Sequence, residues 1–394
     1  MQQDDLAAWL RLTLTPGVGN VTARKLLAAF GLPQAVFAQT ATALRQVVSA
    51  AQTQALQSVP PELAKLADVT WRWLHEAPTT GVQRHIVTLG DADYPAALLH
   101  MEDPPLMLYL LGQVGSAQAP RLPQLAARGL AMVGSRNPTP QGQDHARMFA
   151  RAFSAAGLTV VSGLALGVDG AAHQGALEGH EHADSDNAPL ATVAVVGTGL
   201  DRVYPKSHRE LAHQIAQHGL LISEYALGTP PSPANFPKRN RIIAGLSLGT
   251  LVVEAALKSG SLITARLASE QGKEVFAIPG SIHAPQSRGC HWLIKQGAKL
   301  VESAQDVLEE LRLPTTATTE PHAPAGFVDA DEVNADASAD PLLNALGYDP
   351  VGLDALQART GLETAHLQAR LLELELDGCV ARLPGGLFQR CGAA

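Results

Sequence analysis

Six short apolar runs recur between residues 84 and 313, and they constrain the fold more than any other feature of this chain. Each run has three or four residues with no alternation of polar side chains, and a longer segment of helical pattern separates it from the next. Continuous apolar strands joined by helices are typical of a parallel sheet that is covered on both faces. We therefore predict an α/β core over residues 84–313, with the strands Leu130–Val133, Leu158–Val161, Val193–Val196, Leu220–Ser223, Leu251–Val253 and Val275–Ile278.

Small residues follow most of these runs, at the edge of the sheet where the parallel strands would end. In open α/β sheets this carboxyl edge is where ligands bind. The residues expected at the edge are Gly134, Ser162, Gly197 and Pro279.

The segments on either side of the core have different patterns, which predict separate units. Residues 1–80 contain short amphipathic segments, so we expect a small helical domain. Residues 315–340 contain six acidic residues and no lysine or arginine, a composition that predicts an acidic disordered linker. Residues 341–394 have the order helix, turn, helix and β-hairpin, which is that of a winged-helix domain. The polar segment 180–188 is expected to be a surface insertion.

Composition narrows the class of protein. Of the 394 residues 46% are hydrophobic and 17% are charged, which allows a sizeable core and excludes a mainly disordered chain. The three cysteines are too few for a disulfide framework or a four-cysteine zinc site, and they suit a reducing compartment. Asp4 and Asp5 stand where a signal peptide would be positively charged, and no apolar run reaches the ~20 residues needed to span a bilayer. We expect a cytoplasmic protein without membrane contact.

Charge is distributed unevenly along the chain. The net charge is −8, which excludes a uniformly basic DNA coat protein. Residues 232–299, in contrast, contain nine lysines or arginines against three glutamates and no aspartate. A basic segment inside an acidic protein indicates an anion-binding surface. Aromatic residues are only 4% of the chain, so we predict contact with backbone phosphate rather than binding dominated by base stacking.

Two turns at the predicted edge carry arginine and lysine. In Val133–Thr139 a glycine lets the backbone approach a ligand, free N–H groups at the next helix would favour an anion, and Arg136 can hold two phosphate oxygens. In Phe236–Ser247 the proline suits the first helical position, and three cations follow in the first turn. Cations there oppose the helix dipole, and a bound polyanion would reverse that penalty.

Two further turns are rich in small polar residues. Ser162–His173 contains Asp169, which fits a helix N-cap. Asp169 and His173 could form an acid/base pair or half a metal site, but a cap beside a buried histidine is the favoured interpretation because no third ligand is near in sequence. Lys258–Ala265 offers hydroxyl groups and a glycine at another helix start.

The sequence gives little support for catalysis. Gly197–Arg202 lacks the third glycine of a dinucleotide-binding fingerprint, no P-loop is present, and no nucleophile lies at a useful spacing from a base. We expect no catalytic residue, cofactor or metal. Two alternatives stay open: a nucleotide-processing enzyme of the phosphoribohydrolase-like class, although its Pro-Gly-Gly-x-Gly-Thr string is missing after Pro279, and a dinucleotide-dependent enzyme.

Taken together and in order, these strings resemble the bacterial DNA-processing protein A (DprA/Smf) family. The matching segments are Val133–Arg136, Ser162–His173, Gly219–Tyr225, Phe236–Ser247, Val253–Ala255, Lys258–Ala265 and Pro279–Gly280. The resemblance implies a Rossmann-like core that binds single-stranded DNA, forms a homodimer and loads the RecA recombinase during natural transformation. It places the DNA site at the Gly-Ser-Arg turn and the Lys-Arg-Asn-Arg segment. With the other turns, the expected nucleic-acid-binding residues are Gly134, Ser135, Arg136, Ser162, Gly163, Lys238, Arg239, Asn240, Arg241, Ser259, Gly260 and Thr264.

The flanking units add two expectations. The turn Pro16–Gly19 resembles the hairpin of a helix-hairpin-helix or SAM-like domain, which can point backbone N–H groups at DNA phosphate. Only Arg24 and Lys25 follow as cations, so a plain helix-packing turn is the favoured interpretation. The second helix of the winged-helix segment is acidic, whereas a helix entering a major groove should be basic. We therefore predict that residues 341–394 contact protein, or bind DNA only weakly. The charges concerned are Glu363, Glu373, Glu375 and Asp377 against Arg370.

Overall fold

The structure is a computed structural model that describes residues 1–76, 81–116, 119–120, 122–180, 189–282, 284–312, 340–346 and 350–391. The expected linker 315–340, apart from its last residue, lies outside the described residues. The expected insertion 180–188, apart from its first residue, also lies outside them.

Helices alone form the N-terminal part of the chain. Leu6, Leu10, Leu26 and Trp73 are buried in a common core that continues onto one face of the sheet described below. Between the first two helices, Gly17 has a φ of +75°, and its carbonyl accepts a hydrogen bond from Gln52 Nε2 at 2.8 Å. The helices are α1 Gln3–Leu14, α2 Asn20–Phe30, α3 Pro33–Phe37, α4 Ala41–Leu44, α5 Ala50–Gln57 and α6 Leu63–His75.

Within the described residues, nine strands form one mixed sheet, and Gly115–Ser116 pairs with Ala119–Pro120 in a separate two-stranded ribbon. The strands are β1 Gln83–Thr88, β2 Met107–Gly112, β3 Gly115–Ser116, β4 Ala119–Pro120, β5 Gly129–Val133, β6 Thr159–Ser162, β7 Thr192–Val195, β8 Leu220–Ser223, β9 Gly249–Val252, β10 Glu274–Ala277 and β11 Lys299–Leu300. The order across the sheet is β1-β2-β8-β7-β6-β5-β9-β10-β11. In this order, each strand from β8 through β7, β6, β5, β9 and β10 to β11 runs parallel to its neighbour. The strand β2 pairs antiparallel with both β1 and β8.

Alternate strand residues contact different helical layers. Ala131 and Val133 belong to the core with α12 (Asn235–Gly245) and α13 (Ser261–Glu270), whereas Leu130 and Met132 pack with α9 (Pro140–Ala155) and α10 (Val168–His180). The helices of this region are α7 Ala96–Leu99, α8 Leu125–Arg128, α9 Pro140–Ala155, α10 Val168–His180, α11 Arg209–His218, α12 Asn235–Gly245, α13 Ser261–Glu270, α14 Arg288–Lys295 and α15 Ala304–Glu310. The predicted mostly parallel sheet with helices on both faces is therefore confirmed. The antiparallel strands β1 and β2 were not predicted. The strand β1 begins with three polar residues, whereas β2 is an apolar run whose pattern did allow a strand.

The C-terminal part has the predicted winged-helix arrangement. Gly361, at a φ of +69°, ends the helix Leu353–Thr360 and separates it from the helix Thr364–Leu376. Leu356, Leu367 and Phe388 are buried in the core of this domain. One helix and one short strand that precede the helix-turn-helix were not predicted from the sequence. The elements are α16 Pro341–Leu346, β12 Val351–Gly352, α17 Leu353–Thr360, α18 Thr364–Leu376, β13 Val380–Leu383 and β14 Leu387–Arg390.

In the part of the chain that the structure describes, no helix is both long enough and apolar enough to cross a membrane.

Candidate nucleic-acid interface

A pocket of ≈ 580 Å³ opens at the carboxyl ends of β5 and β9. In the sheet, β5 lies between β6 and β9. The chain adds β6, β7 and β8 on one side of β5 and then adds β9, β10 and β11 on its other side. Such a switch point is where open α/β sheets form a ligand crevice. Eight of the twelve expected site residues line this pocket: Gly134, Ser135, Arg136, Arg239, Asn240, Ser259, Gly260 and Thr264. The lining does not include Ser162, Gly163, Lys238 or Arg241.

The turn after β5 is held against the start of α10. A Cβ on Gly134 would lie 2.7 Å from a Val168 methyl carbon, so only glycine allows this approach. The Ser135 carbonyl accepts a hydrogen bond from the Val168 N–H at 3.1 Å, and the Ser135 hydroxyl accepts one from the Asn137 N–H at 3.1 Å. This packing fixes the turn and leaves the side chain of Arg136 exposed.

At the start of α9 the Thr139 and Gly142 N–H groups already donate to side-chain oxygens of the protein, which corrects the expectation that they are free for an anion. The Glu254 carboxylate accepts hydrogen bonds from the Thr139 N–H at 2.9 Å and from the Thr139 hydroxyl at 2.6 Å. The Thr139 hydroxyl in turn caps the Gly142 N–H at 3.0 Å. Burial raises the pKa of Glu254, and the two bonds from Thr139 oppose that rise. A protein carboxylate therefore already occupies the position where an external anion was expected.

Arg239 lines the pocket, but it is only 4% exposed and its guanidinium is held by groups of the protein rather than free for phosphate. Its guanidinium donates to the carbonyl of Gly163 at 2.5 Å and to the carbonyl of Val195, and it lies 3.8 Å from the Asp169 carboxylate. Its Nε donates to Asn240 Oδ1 at 3.0 Å. Burial lowers the pKa of Arg239 and raises that of Asp169, and each partner's charge opposes the other's shift. The expected phosphate contact by Arg239 is replaced by a structural role beneath the pocket.

Two further expectations are corrected by this interior cluster. Ser162 is fully buried, and its hydroxyl donates to the Met132 carbonyl at 2.6 Å, so it does not face a ligand. Gly163 provides room for the arginine, because an added Cβ would lie 2.0 Å from the Arg239 guanidinium. Both residues support the site from below.

Arg241 is also engaged within the protein. It forms an ion pair with Glu224, and its Nε lies 3.6 Å from the Asp103 carboxylate. Burial raises the pKa of Glu224, and the guanidinium of Arg241 opposes that rise. The expected role of Arg241 in neutralising phosphate does not agree with this double pairing.

Three cations stay available at the surface. Arg136 and Lys258 line the pocket, and Lys238 lies at the start of α12 beside it. All three side chains are exposed, and none forms an ion pair within the described part of the chain. These residues can neutralise phosphate without breaking an existing salt bridge.

The opposite wall offers hydrogen-bonding groups. Asn240 Nδ2 donates to the Gly260 carbonyl at 3.3 Å, which joins α12 to the turn before α13. A Cβ on Gly260 would meet nothing within 4 Å, so the turn is open to a ligand. Thr264 is fully buried, and its hydroxyl has no hydrogen-bond partner among the described residues. Buried hydroxyl groups rarely stay unpaired, so this group fits a ligand oxygen or a water at the base of the pocket.

An aromatic pair at the pocket's rim was missed from the sequence. Tyr204 is 47% exposed, and its ring centroid lies 5.6 Å from that of Phe236. The guanidinium carbon of Arg136 lies 5.4 Å from the Phe236 ring centroid. Tyr204 comes from the loop after β7, about 30 residues before Phe236, so spacing alone could not pair them. Its position in the loop after a predicted strand was the available signal.

The Asp169 and His173 pair does not form an acid/base site. His173 is fully buried, and its Nδ1 is 2.7 Å from the Thr192 hydroxyl. Burial lowers the pKa of His173 to about 3, so the ring is neutral at pH 7. Asp169 accepts from the Ala165 N–H at 3.2 Å in addition to its pairing with Arg239. The pair is part of the interior hydrogen-bond network.

Comparison with known proteins gives a consistent result. Residues 85–312 match the family model described as DNA recombination-mediator protein A, and residues 323–386 match the DprA winged helix domain. The chain is 41% identical over 304 residues to Protein Smf of Escherichia coli, which covers 77% of this chain and 76% of that protein. It is 44% identical over 220 residues to the DNA processing protein DprA of Streptococcus pneumoniae, covering 56% and 72% of the two chains. The X-ray structure of the S. pneumoniae protein superposes with a TM-score of 0.62 at 33% identity, over 79% of this chain and 98% of that one.

Proposed function

This chain belongs to the DprA/Smf family, and from that premise we propose that its pocket binds single-stranded DNA through the phosphate backbone. The observation that carries the proposal is the set of exposed, unpaired cations, Arg136, Lys238 and Lys258, around a concave site at the switch point of the sheet. Binding through phosphate is largely independent of sequence and weakens with salt.

The aromatic pair gives the proposed site a place for a base. A single strand can present its unstacked bases to aromatic side chains, and such stacking tolerates every base because each has a π-face. Tyr204 and Phe236 lie beside Arg136, so a phosphate on the cations would place its base within reach of the rings. A paired duplex keeps its bases stacked inside and cannot use this contact, which favours single strands.

We expect Tyr204→Ala to weaken single-strand binding about tenfold, because one base–aromatic stack contributes ~1–3 kcal/mol. Tyr204→Phe is the matched control, since it keeps the ring and removes only the hydroxyl. Fluorescence anisotropy with a labelled oligo-dT measures both variants. Equal affinity for the alanine variant and the natural chain would remove the aromatic pair from the proposed site.

We extend the proposal to the assembly of RecA recombinase on the bound strand by a cytoplasmic homodimer that forms through the Rossmann-like core. The family description as a recombination mediator supports the role in recombinase assembly, whereas the homodimer is what the family resemblance implies. The test is the rate at which RecA replaces single-strand-binding protein on long single-stranded DNA. The full chain should raise that rate at substoichiometric amounts. A chain that binds the strand but leaves the rate unchanged would contradict the loading role alone.

A nucleotide-processing enzyme at the same pocket is the weaker interpretation. Such chemistry needs a carboxylate that is free to act on the substrate. Asp169 lines the pocket, but its carboxylate is already held by Arg239 and by the Ala165 N–H. Incubation with nucleoside monophosphates should therefore release no free base, and we propose a binding role without catalysis.

A further inference from the structure

The helix α18 carries a second apolar stripe on the side that the winged-helix core does not use. Leu367, Leu371 and Leu374 on its inner face are buried in that core. On the opposite face Leu372 and Leu376 are 57% and 80% exposed. At about 100° per residue, the two sets of leucines point in opposite directions. The winged-helix core buries only one of these two apolar faces, so the other face has no packing partner within the domain.

The outer stripe has the spacing of a helix-pairing seam. Ala365 and Ala369 are exposed and extend the stripe toward the start of α18. The four residues from Ala365 to Leu376 are separated by four, three and four positions, which is the alternation of a and d positions in paired helices. Single exposed leucines are ordinary on protein surfaces, but a continuous stripe of this register marks an interaction surface.

The stripe is bordered by negative charge. Glu373 lies on one side of it and Glu375 on the other, and Asp377 follows at the helix end. The one arginine of the helix, Arg370, is already paired with Glu373 at 2.6 Å and with Asp340 at 2.5 Å. The flanks therefore present net negative charge to any surface that covers the leucines.

We propose that this face of α18 docks an amphipathic helix of a protein partner whose apolar seam is flanked by lysines or arginines. Duplex DNA does not fit, because the outer face of the second helix is the one that would enter a major groove, where phosphates would repel these carboxylates. A second copy of α18 does not fit either, since pairing of two identical faces would bring acidic flanks together. The surface is separate from the DNA pocket, so this inference stands independently of the proposed function.

The test uses the full chain and two labelled synthetic helical peptides of about three heptads with leucine at a and d. One peptide has lysine at e and g, and the other has glutamate. We expect the chain to bind the lysine peptide and not the glutamate peptide in fluorescence anisotropy. Leu372→Glu with Leu376→Glu should weaken binding at least tenfold. Leu32→Glu, at a leucine that is 63% exposed in the helical domain, is the matched control and should leave binding unchanged.

A charge-reversed variant makes the result specific. Glu373→Lys with Glu375→Lys keeps both leucines and should switch the preference to the glutamate peptide. Equal binding of both peptides, or insensitivity to the leucine substitutions, would overturn the proposal. So would a loss of duplex binding or of self-association on substitution of Leu372 and Leu376, measured by anisotropy and sedimentation, because the occupant would then be DNA or a second copy.

Discussion

Arg239→Met is expected to lower the free energy of unfolding by about 3–5 kcal/mol, because it removes one partner of a buried ion pair. The substitution leaves the Asp169 carboxylate buried without its cation. It also removes the donor to the carbonyls of Gly163 and Val195. Urea unfolding of the full chain measures the loss. Arg136→Met removes an exposed arginine from the same pocket and should leave the unfolding free energy within about 0.5 kcal/mol of the natural chain.

The loss of unfolding free energy caused by Arg239→Met should depend on pH. Burial raises the pKa of Asp169 above its usual 3.8, and Arg239 opposes that rise, so the variant should raise it further. A carboxyl group whose folded pKa is raised binds its proton more tightly in the native state, so stability falls as pH rises between the ordinary and the raised value. The unfolding free energy that Arg239→Met loses relative to the natural chain should therefore be smaller at pH 5 than at pH 8. A variant as stable as the natural chain at both pH values would show that the guanidinium is free to reach DNA.

The combined variant Arg136→Gln, Lys238→Gln and Lys258→Gln is expected to lose single-strand affinity by a factor on the order of 10³ or more at low salt, since each charge-assisted contact contributes ~1.5–3 kcal/mol. The slope of log affinity against log salt should fall by about 2, at ~0.7 for each lost phosphate contact. The three cations are exposed and unpaired in the described structure, so the fold should be unaffected. Anisotropy across a salt series with oligo-dT measures both quantities.

The control for the combined variant is Lys65→Gln, an exposed lysine of α6 far from the pocket in sequence. It should change neither the affinity nor the slope. If the combined variant kept the natural slope, phosphate would contact other cations and the assignment of these three would be wrong.

The sequence was sufficient for the six strands β5 to β10, because strands buried on both faces form nearly continuous apolar runs. It was insufficient for β11, which has only two residues, both exposed. It was insufficient for β1, whose first residues Gln83, Arg84 and His85 are polar at the sheet's edge. The winged helix could be predicted because helix lengths, Gly361 and the Pro384–Gly386 turn are local signals.

The site could be placed from its motifs, but its arginines could not be assigned by spacing. Lys238, Arg239 and Arg241 share one helical turn and look equivalent in the sequence. Their partners decide the difference. Asp169 is 70 residues from Arg239, and Glu224 belongs to the loop after another strand. Long-range pairing engages two of these cations within the protein and leaves Lys238 exposed, which only the folded arrangement could reveal.

Single-strand binding is tested by the anisotropy of a labelled oligo-dT and of a duplex of the same length, titrated with the full natural chain from low to physiological salt. We expect the single strand to bind more tightly than the duplex at every salt concentration, with an affinity that falls steeply as salt rises. Absence of single-strand binding at low salt, or a preference for the duplex, would contradict the proposal that this pocket binds single-stranded DNA.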